Sequence, residues 1–453
     1  MFLLSLLFAQ ATPPSLPEPT PQEILKPQEV RPLSGQLNSV PVFNSNSPEV
    51  VLSEGILLST FDKTKKTNSD AHLNFPFQGR FDIFAHHIAK PPTPEDLRTL
   101  YLGIILHNPT KETVTVDILA AASYLSQPDA PFIKLPDQVP NNAGNVYAGP
   151  GSRVMNDILR GERQENFPDE LVIPPGESRM LVNLPIPVKT LIPPLNGRST
   201  YVRLDSNGEV YAASLAMFAP VDATGEERKP RLAEWEELLA TGELVTPRDR
   251  APTPPNNTTG GIIYGRVAGV SQGSLWEATL TDNNRSEKLT IPASGEAFSY
   301  GISTLAGGRL GTNQIQTAPM LVRYPDTAYS AHGNYGVQYS LTLPLSNPTE
   351  VSKTVAVSLQ TPIKQDILTQ GLRFLEPPAS QVFFRGTVKI SYDDEQGQLI
   401  DNYFHLVQQR GQQAKPLATL TIPPQETRKV KVDFLYPPDA TPPQVLTVET
   451  LSE

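Results

Sequence analysis

From Val40 onward, apolar and polar positions alternate in short runs. In Thr113–Leu119, the residues Val114, Val116 and Ile118 point one way while Thr113, Thr115 and Asp117 point the other. That is the period of a strand with one face in a core and one in water. Val50–Leu52, Tyr101–Leu106 and Met180–Leu184 are further β-type runs. Asn207-Gly208, between Tyr201–Leu204 and Val210–Ala212, predicts a two-residue hairpin. One stretch carries a helical period instead: in Arg231–Ala240, Leu232, Trp235, Leu238 and Leu239 share a face, and Gly242 follows as a stop.

The punctuation between strands recurs. His107-Asn108-Pro109-Thr110 precedes one alternating strand and Ser346-Asn347-Pro348-Thr349 another, 239 positions later. Ile173-Pro174-Pro175-Gly176-Glu177 and Ile422-Pro423-Pro424-Gln425-Glu426 each stop one strand and start the next, 249 positions apart. A looser copy is Ile291-Pro292-Ala293-Ser294-Gly295-Glu296. Proline presets the turn and the Asn side chain bonds nearby backbone. Such corners, spaced among short strands, predict an all-β chain of two tandem immunoglobulin-like β-sandwich units with one short helix between them. The expected units are 40–225 and 262–453. They are separated by the helix and a proline-rich linker, 226–261, whose proline density neither strand nor helix tolerates.

The chain opens on a short apolar run, Phe2–Phe8, followed by Ala9-Gln10-Ala11. Residues 1–11 thus read as a signal peptide, too short to span a bilayer. Its missing basic start implies a start codon placed downstream of the true one. Seven prolines in 12–32 make 12–39 an extended spacer. Export to the periplasm or outside the cell is the expected location, with no transmembrane segment in the mature chain. Among 453 residues there is no cysteine, which removes disulfides, zinc–thiolate sites and a thiol nucleophile. A net charge of −10 argues against a nucleic-acid partner.

Three stretches carry a likeness: Val40–Val51 with its Asn44-Ser45-Asn46-Ser47 run, Gly79–His87, and Tyr324–Tyr329 with His332–Gly336. Through them the chain resembles, over essentially its whole mature length, an uncharacterised family of exported cyanobacterial proteins, a domain of unknown function. The resemblance implies a cyanobacterial, exported origin and no particular activity.

Motifs for catalysis fail on context. Gly269-Val270-Ser271-Gln272-Gly273 matches a nucleophile elbow, yet the next run, Leu275–Leu280, reads as a strand where an elbow needs a helix. Gly307-Gly308-Arg309-Leu310-Gly311 has neither dinucleotide nor P-loop spacing. The adjacent His86 and His87 would face opposite sides of a strand, and Asp393, Asp394 and Glu395 sit at an expected hairpin tip. No catalytic residue, metal or cofactor is expected. The cluster that suits binding is Arg323, Tyr324, Asp326, Tyr329, His332, Asn334 and Tyr335. Exposed aromatic rings stack on sugar faces while Asp, Asn and Arg satisfy hydroxyls; the bland reading packs these tyrosines over a sandwich end. The leading expectation is a non-catalytic envelope protein binding cell-surface polysaccharide. A structural or assembly factor for other envelope proteins is the alternative, and a hydrolase using Ser271 or an acid pair the third. Mass spectrometry of the native protein is expected to find its N-terminus at or near Thr12; intact cytoplasmic material beginning at Met1 would overturn export.

Overall fold

The alternating runs become strands. The structure is a computed structural model that describes residues 20–257 and 260–452; the expected signal peptide lies outside them. Apart from two α-helices and a single 3-10 turn, every regular element among the described residues is a strand, so the fold is all-β. Two large hydrophobic cores organise it. The first joins Val116, Ile118, Val202 and Leu204 to Ile104, Leu106 and Val182. The second joins Leu341, Leu343, Val430 and Val432 to Val355, Val357, Leu446 and Val448.

The repeated corners occupy equivalent places around these cores. Leu100–His107 pairs antiparallel with Ser178–Ile186, as Gln338–Ser346 pairs with Thr427–Leu435. Val114–Leu125 pairs with Glu170–Ile173, as Lys353–Gln360 pairs with Ala418–Ile422. At both corners the Asn is fully buried. The Asn108 amide donates to the carbonyls of Glu112 at 2.6 Å and Ile173 at 2.9 Å, and its oxygen accepts from the Thr110 backbone and hydroxyl. The Asn347 amide donates to Val351 and Ile422, and its oxygen accepts from Thr349 in the same way. One side chain thus satisfies the backbone of two separate chain segments where neither sheet ladder reaches.

Three expectations change. Asn207-Gly208 does not turn a hairpin: Asn196–Phe218 runs as one strand. Its first part pairs with Phe77–Ala89 and Val114–Leu125, and its last part with Gly55–Ser59 and Leu100–His107. The ladder shifts register between Ser206 and Val210. Here the Asn207 side chain accepts the Thr115 N–H at 2.9 Å, so it is engaged by a neighbouring strand rather than by a turn of its own. The pair therefore makes a bulge that passes the strand from one set of neighbours to another. A second helix, Pro150–Leu159, buries Val154, Met155 and Ile158. Its sequence signal is Pro150 in the first turn, diluted by the weak helix formers Asn156 and Asp157. The helix Leu232–Thr241 is where its period placed it, with Trp235 and Leu239 buried.

The described part of the 12–39 segment is built into the second core's sheets. Gln22–Lys26 pairs with Leu372–Glu376, and Glu29–Arg31 lies parallel to Ala297–Ile302. Leu33 joins that core. Chain also crosses the other way: Ala268–Gln272 pairs with Pro41–Ser45, and Ala318–Arg323 pairs with Ala268–Gln272. Gln138–Pro140 adds to Leu399–Gln409. At the crossing, the buried Tyr201 hydroxyl lies 2.9 Å from Asp82 and 3.0 Å from the Gly336 carbonyl. Gly336 has φ +84°, and a Cβ there would come within 2.2 Å of the Tyr201 ring.

Replacing Asn108 or Asn347 by Ala is expected to cost about 2–4 kcal/mol, because each leaves buried backbone groups without partners. The aspartate variants, which keep the accepting oxygens and lose the donors, should cost nearly as much; urea denaturation reads both.

Candidate functional site

The interlock leaves a cleft of about 520 Å³ where the chain segments of the two cores meet. One wall comes from the end of Pro41–Ser45 and the turn after it. Asn46 N–H donates to the Val267 carbonyl, tying that turn to the segment leading into Ala268–Gln272. Asp249 holds the turn from below, accepting the Ser47 hydroxyl at 2.7 Å and the Glu49 N–H at 3.2 Å. Asn44 and Asn46 are almost wholly buried, and their amide oxygens lie in the interior with no hydrogen-bond partner. Buried polar atoms are normally satisfied, so this pair is a local cost.

Glu49 forms an ion pair with Arg266. Burial pushes its carboxyl up, Arg266 opposes, and Asp249 adds to the rise. His86 Nε2 lies 3.8 Å from Glu49, but burial pushes this imidazole down to about 3. It is therefore neutral at physiological pH, and the contact carries no ion-pair attraction. The two histidines serve hydrogen bonds: His86 Nδ1 with Ser199 Oγ at 2.8 Å, His87 Nε2 with Ser45 Oγ at 2.9 Å, and His87 Nδ1 donating to the Pro48 carbonyl at 2.8 Å.

The opposite wall is aromatic and cationic. The Tyr264 and His332 rings have centroids 4.9 Å apart. Tyr264 donates its hydroxyl hydrogen to the Ala306 carbonyl at 2.6 Å and accepts from the Lys364 ammonium, which sits 4.3 Å from its ring centroid. Burial pushes Lys364 down to about 8, with Asp366 opposing. Burial, with Lys364 nearby, pushes His332 down to about 4, and its buried Nδ1 has no partner. Tyr335 closes the floor, donating to the Ala440 carbonyl at 3.2 Å.

Of the seven residues singled out from sequence, His332, Asn334 and Tyr335 line this cleft. Asn334 is fully buried framework: its oxygen accepts the Ala318 N–H, and its amide donates to the Gln316 carbonyl and the Tyr339 hydroxyl. Tyr324 belongs to the first core, 1% exposed. Its hydroxyl accepts the Ser59 N–H and donates to the Ala71 carbonyl, which leaves it no face for a ligand. Arg323 folds back onto its own loop, donating to the carbonyls of Tyr324 and Pro325 and stacking 3.8 Å from the centroid of the half-buried Tyr329. Asp326 is exposed and pairs with Arg248 at 3.1 Å. The tyrosine loop is thus mainly a clamp, and only its far end reaches the cleft. Sequence reasoning missed Asn44, Asn46, Glu49, Asp249, Tyr264 and Lys364. The signal for the first two was a polar run, Asn44–Ser47, continuing straight from the apolar Val42-Phe43.

The other motifs are accounted for by structure. Ser271 is 2% exposed within Ala268–Gln272, and Leu275–Thr279 follows as a strand. Asp394 closes its turn by accepting the N–H groups of Gln396 and Gln398. Among the described residues, no three of His, Cys, Asp and Glu come together as a metal site would need.

The chain belongs to the family described as "Protein of unknown function (DUF3370)", whose model matches residues 28–450. No curated protein matches it in sequence. Among solved structures it is similar to Lac15 from a marine microbial metagenome, at 9% identity and a TM-score of 0.11, over 84% of this chain and 55% of that one. This chain therefore spans little more than half of the Lac15 chain. It is also similar to the coconut allergen cocosin, at 10% identity and a TM-score of 0.10, over 83% of this chain and 84% of that one. TM-scores this low carry no argument about this chain.

Asp439, just before the cleft residues Ala440–Pro442, is pushed up to about 6 by burial, with Arg385 opposing and Glu49 adding to the rise. An unfolded Asp titrates near 4. The folded state therefore holds the proton more tightly, and the stability it contributes is complete below pH ~4 and lost as pH rises to about 6. Asp439→Asn is expected to melt about 2–4 °C above the parent at neutral pH and above, with the gap closing at low pH. A gap that does not change with pH would refute this.

Proposed function

We propose that this chain is an exported, non-catalytic binding protein of the cell envelope that holds polysaccharide in the cleft between its two halves. Each half is read as an immunoglobulin-like sandwich, the pair arranged in tandem. The observation that carries the binding reading is a cleft of about 520 Å³ that sets the Tyr264, His332 and Tyr335 rings against the Asn44 and Asn46 side chains. Asn side chains at the edge of a cleft exchange hydrogen bonds with the hydroxyls of a polyhydroxylated ligand. The Tyr264, His332 and Tyr335 rings on the opposite side supply the apolar and polar edges that sugar rings favour. His332, kept neutral by burial, adds a polar edge beside the Tyr264 ring.

The alternative is an assembly factor that holds other envelope proteins by strand addition. It draws on Glu170–Ile173, which pairs on one side only and exposes Val172.

A glycan array with the mature chain tests the first reading. Asn46→Ala separates site from scaffold, because it deletes an unsatisfied buried group. Its melting temperature is expected to stay within about 2 °C of the parent, while affinity for the bound glycan falls at least about fivefold, the loss of one neutral hydrogen bond. A stable variant with unchanged glycan affinity would remove Asn46 from the site.

A further inference from the structure

The charges around the cleft do not cancel. Glu49 is neutralised by Arg266. The Asp249 carboxylate is occupied by the Ser47 hydroxyl and the Glu49 N–H. Arg250 stands exposed on the rim. Lys364 has no carboxylate within ion-pair distance among the described residues. Its nearest acid, Asp366, is held bidentately by Arg309 at 3.1 and 2.6 Å. The hydrogen-bond partner of the Lys364 ammonium is the neutral Tyr264 hydroxyl.

Lys364 is nevertheless held in place. The Tyr264 hydroxyl is anchored on the Ala306 carbonyl, which fixes the ring under the ammonium. The lysine stem passes over Gly307-Gly308, where a Cβ on Gly308 would come within 2.9 Å of Lys364 Cε and 3.0 Å of its Cγ. The glycine run that fits no nucleotide loop thus serves as the bed of a cationic side chain. A partly desolvated ammonium with only neutral partners gains most from an anion.

We infer that the cleft selects acidic glycans, with Lys364 receiving an anionic oxygen carried by the sugar chain, and that Tyr264 and Gly308 position that lysine. This rests on the saccharide reading of the same cleft. Uronate carboxylates and sulfate esters present the same anionic oxygens, so both are candidates and the experiment separates them. Burial already works against the charge on Lys364, and an anion in contact reverses that penalty.

Isothermal titration of the full chain would compare three oligosaccharides of equal length: a uronate, a sulfated chain and a neutral one. The expected result is at least about tenfold tighter binding of one acidic chain than of the neutral one, a typical charge-assisted gain. Which of the two it is identifies the source of the anion. Lys364→Met should bring the acidic affinity down to that of the neutral chain measured on the same variant. The parent protein provides a readout that needs no variant: acidic affinity should fall about tenfold between roughly 0.05 and 0.5 M salt, while neutral affinity stays constant. Equal affinity for acidic and neutral chains would overturn the acidic preference and leave the saccharide reading standing. So would a salt-independent acidic affinity, or a Lys364→Met variant that weakens both alike. A folded protein that binds none of the three would overturn both.

Discussion

The antiparallel pairing of Ala268–Gln272 with Pro41–Ser45 is the contact on which the rest depends. It places a segment that follows the proline-rich stretch 226–261 inside the sheet of the first core, before the chain departs through Leu275–Thr279 for the second. The N-terminal strands cross in the opposite direction, from the first half to the second, and so does Gln138–Pro140. Backbone hydrogen bonds, not only side chains, therefore hold the halves together. Ladders impose register, so relative sliding would break a row of bonds at once. The buried Tyr201 hydroxyl between Asp82 and Gly336, and the lack of a Cβ at Gly336, set how closely the halves approach.

That rigidity explains how the cleft tolerates its costs. Unpartnered amide oxygens on Asn44 and Asn46, an unpartnered His332 nitrogen and an ammonium with only neutral partners are each unfavourable. A looser site would rearrange to satisfy them. Here Asn44 lies on a strand paired on both sides, and Asn334, beside His332, is locked by three hydrogen bonds to surrounding groups. Local dissatisfaction is held in place by satisfaction next door.

The two halves keep their corners and differ in what is added. Asn108 and Asn347 make matching bonds because a strand end facing a Pro-Pro turn leaves the same backbone groups unpaired. Even the turn conformation is kept: Gly176 has φ +69°, and Gln425, in its place, has φ +61°. The glutamine side chain offsets this by donating to the Pro348 carbonyl at 2.8 Å. The added pieces, such as Pro150–Leu159 and the segment from Ala318 to Tyr335, are the ones that bridge the halves or build the cleft.

Strand identity, the helix at Leu232–Thr241 and the repeated corners were legible in the sequence, because each rests on spacing within a few residues. Alternation marks a half-buried strand wherever it occurs, and Asn-Pro-Thr closes its corner with its own atoms. The pairing of distant segments was not legible. Nothing local in Gln22–Lys26 says that it meets Leu372–Glu376, and Asn207-Gly208 has hairpin chemistry until Thr115 claims the asparagine oxygen. The tyrosine cluster shows the same division. Its composition suited recognition, yet Tyr324 went to a core and Arg323 to its own loop carbonyls, while Lys364, Tyr264 and Asn46 reached the cleft from three separate parts of the chain. Residue type sets what a side chain can bond. Which partner it meets is decided by long-range ladders, whose register depends on the packing of the whole chain.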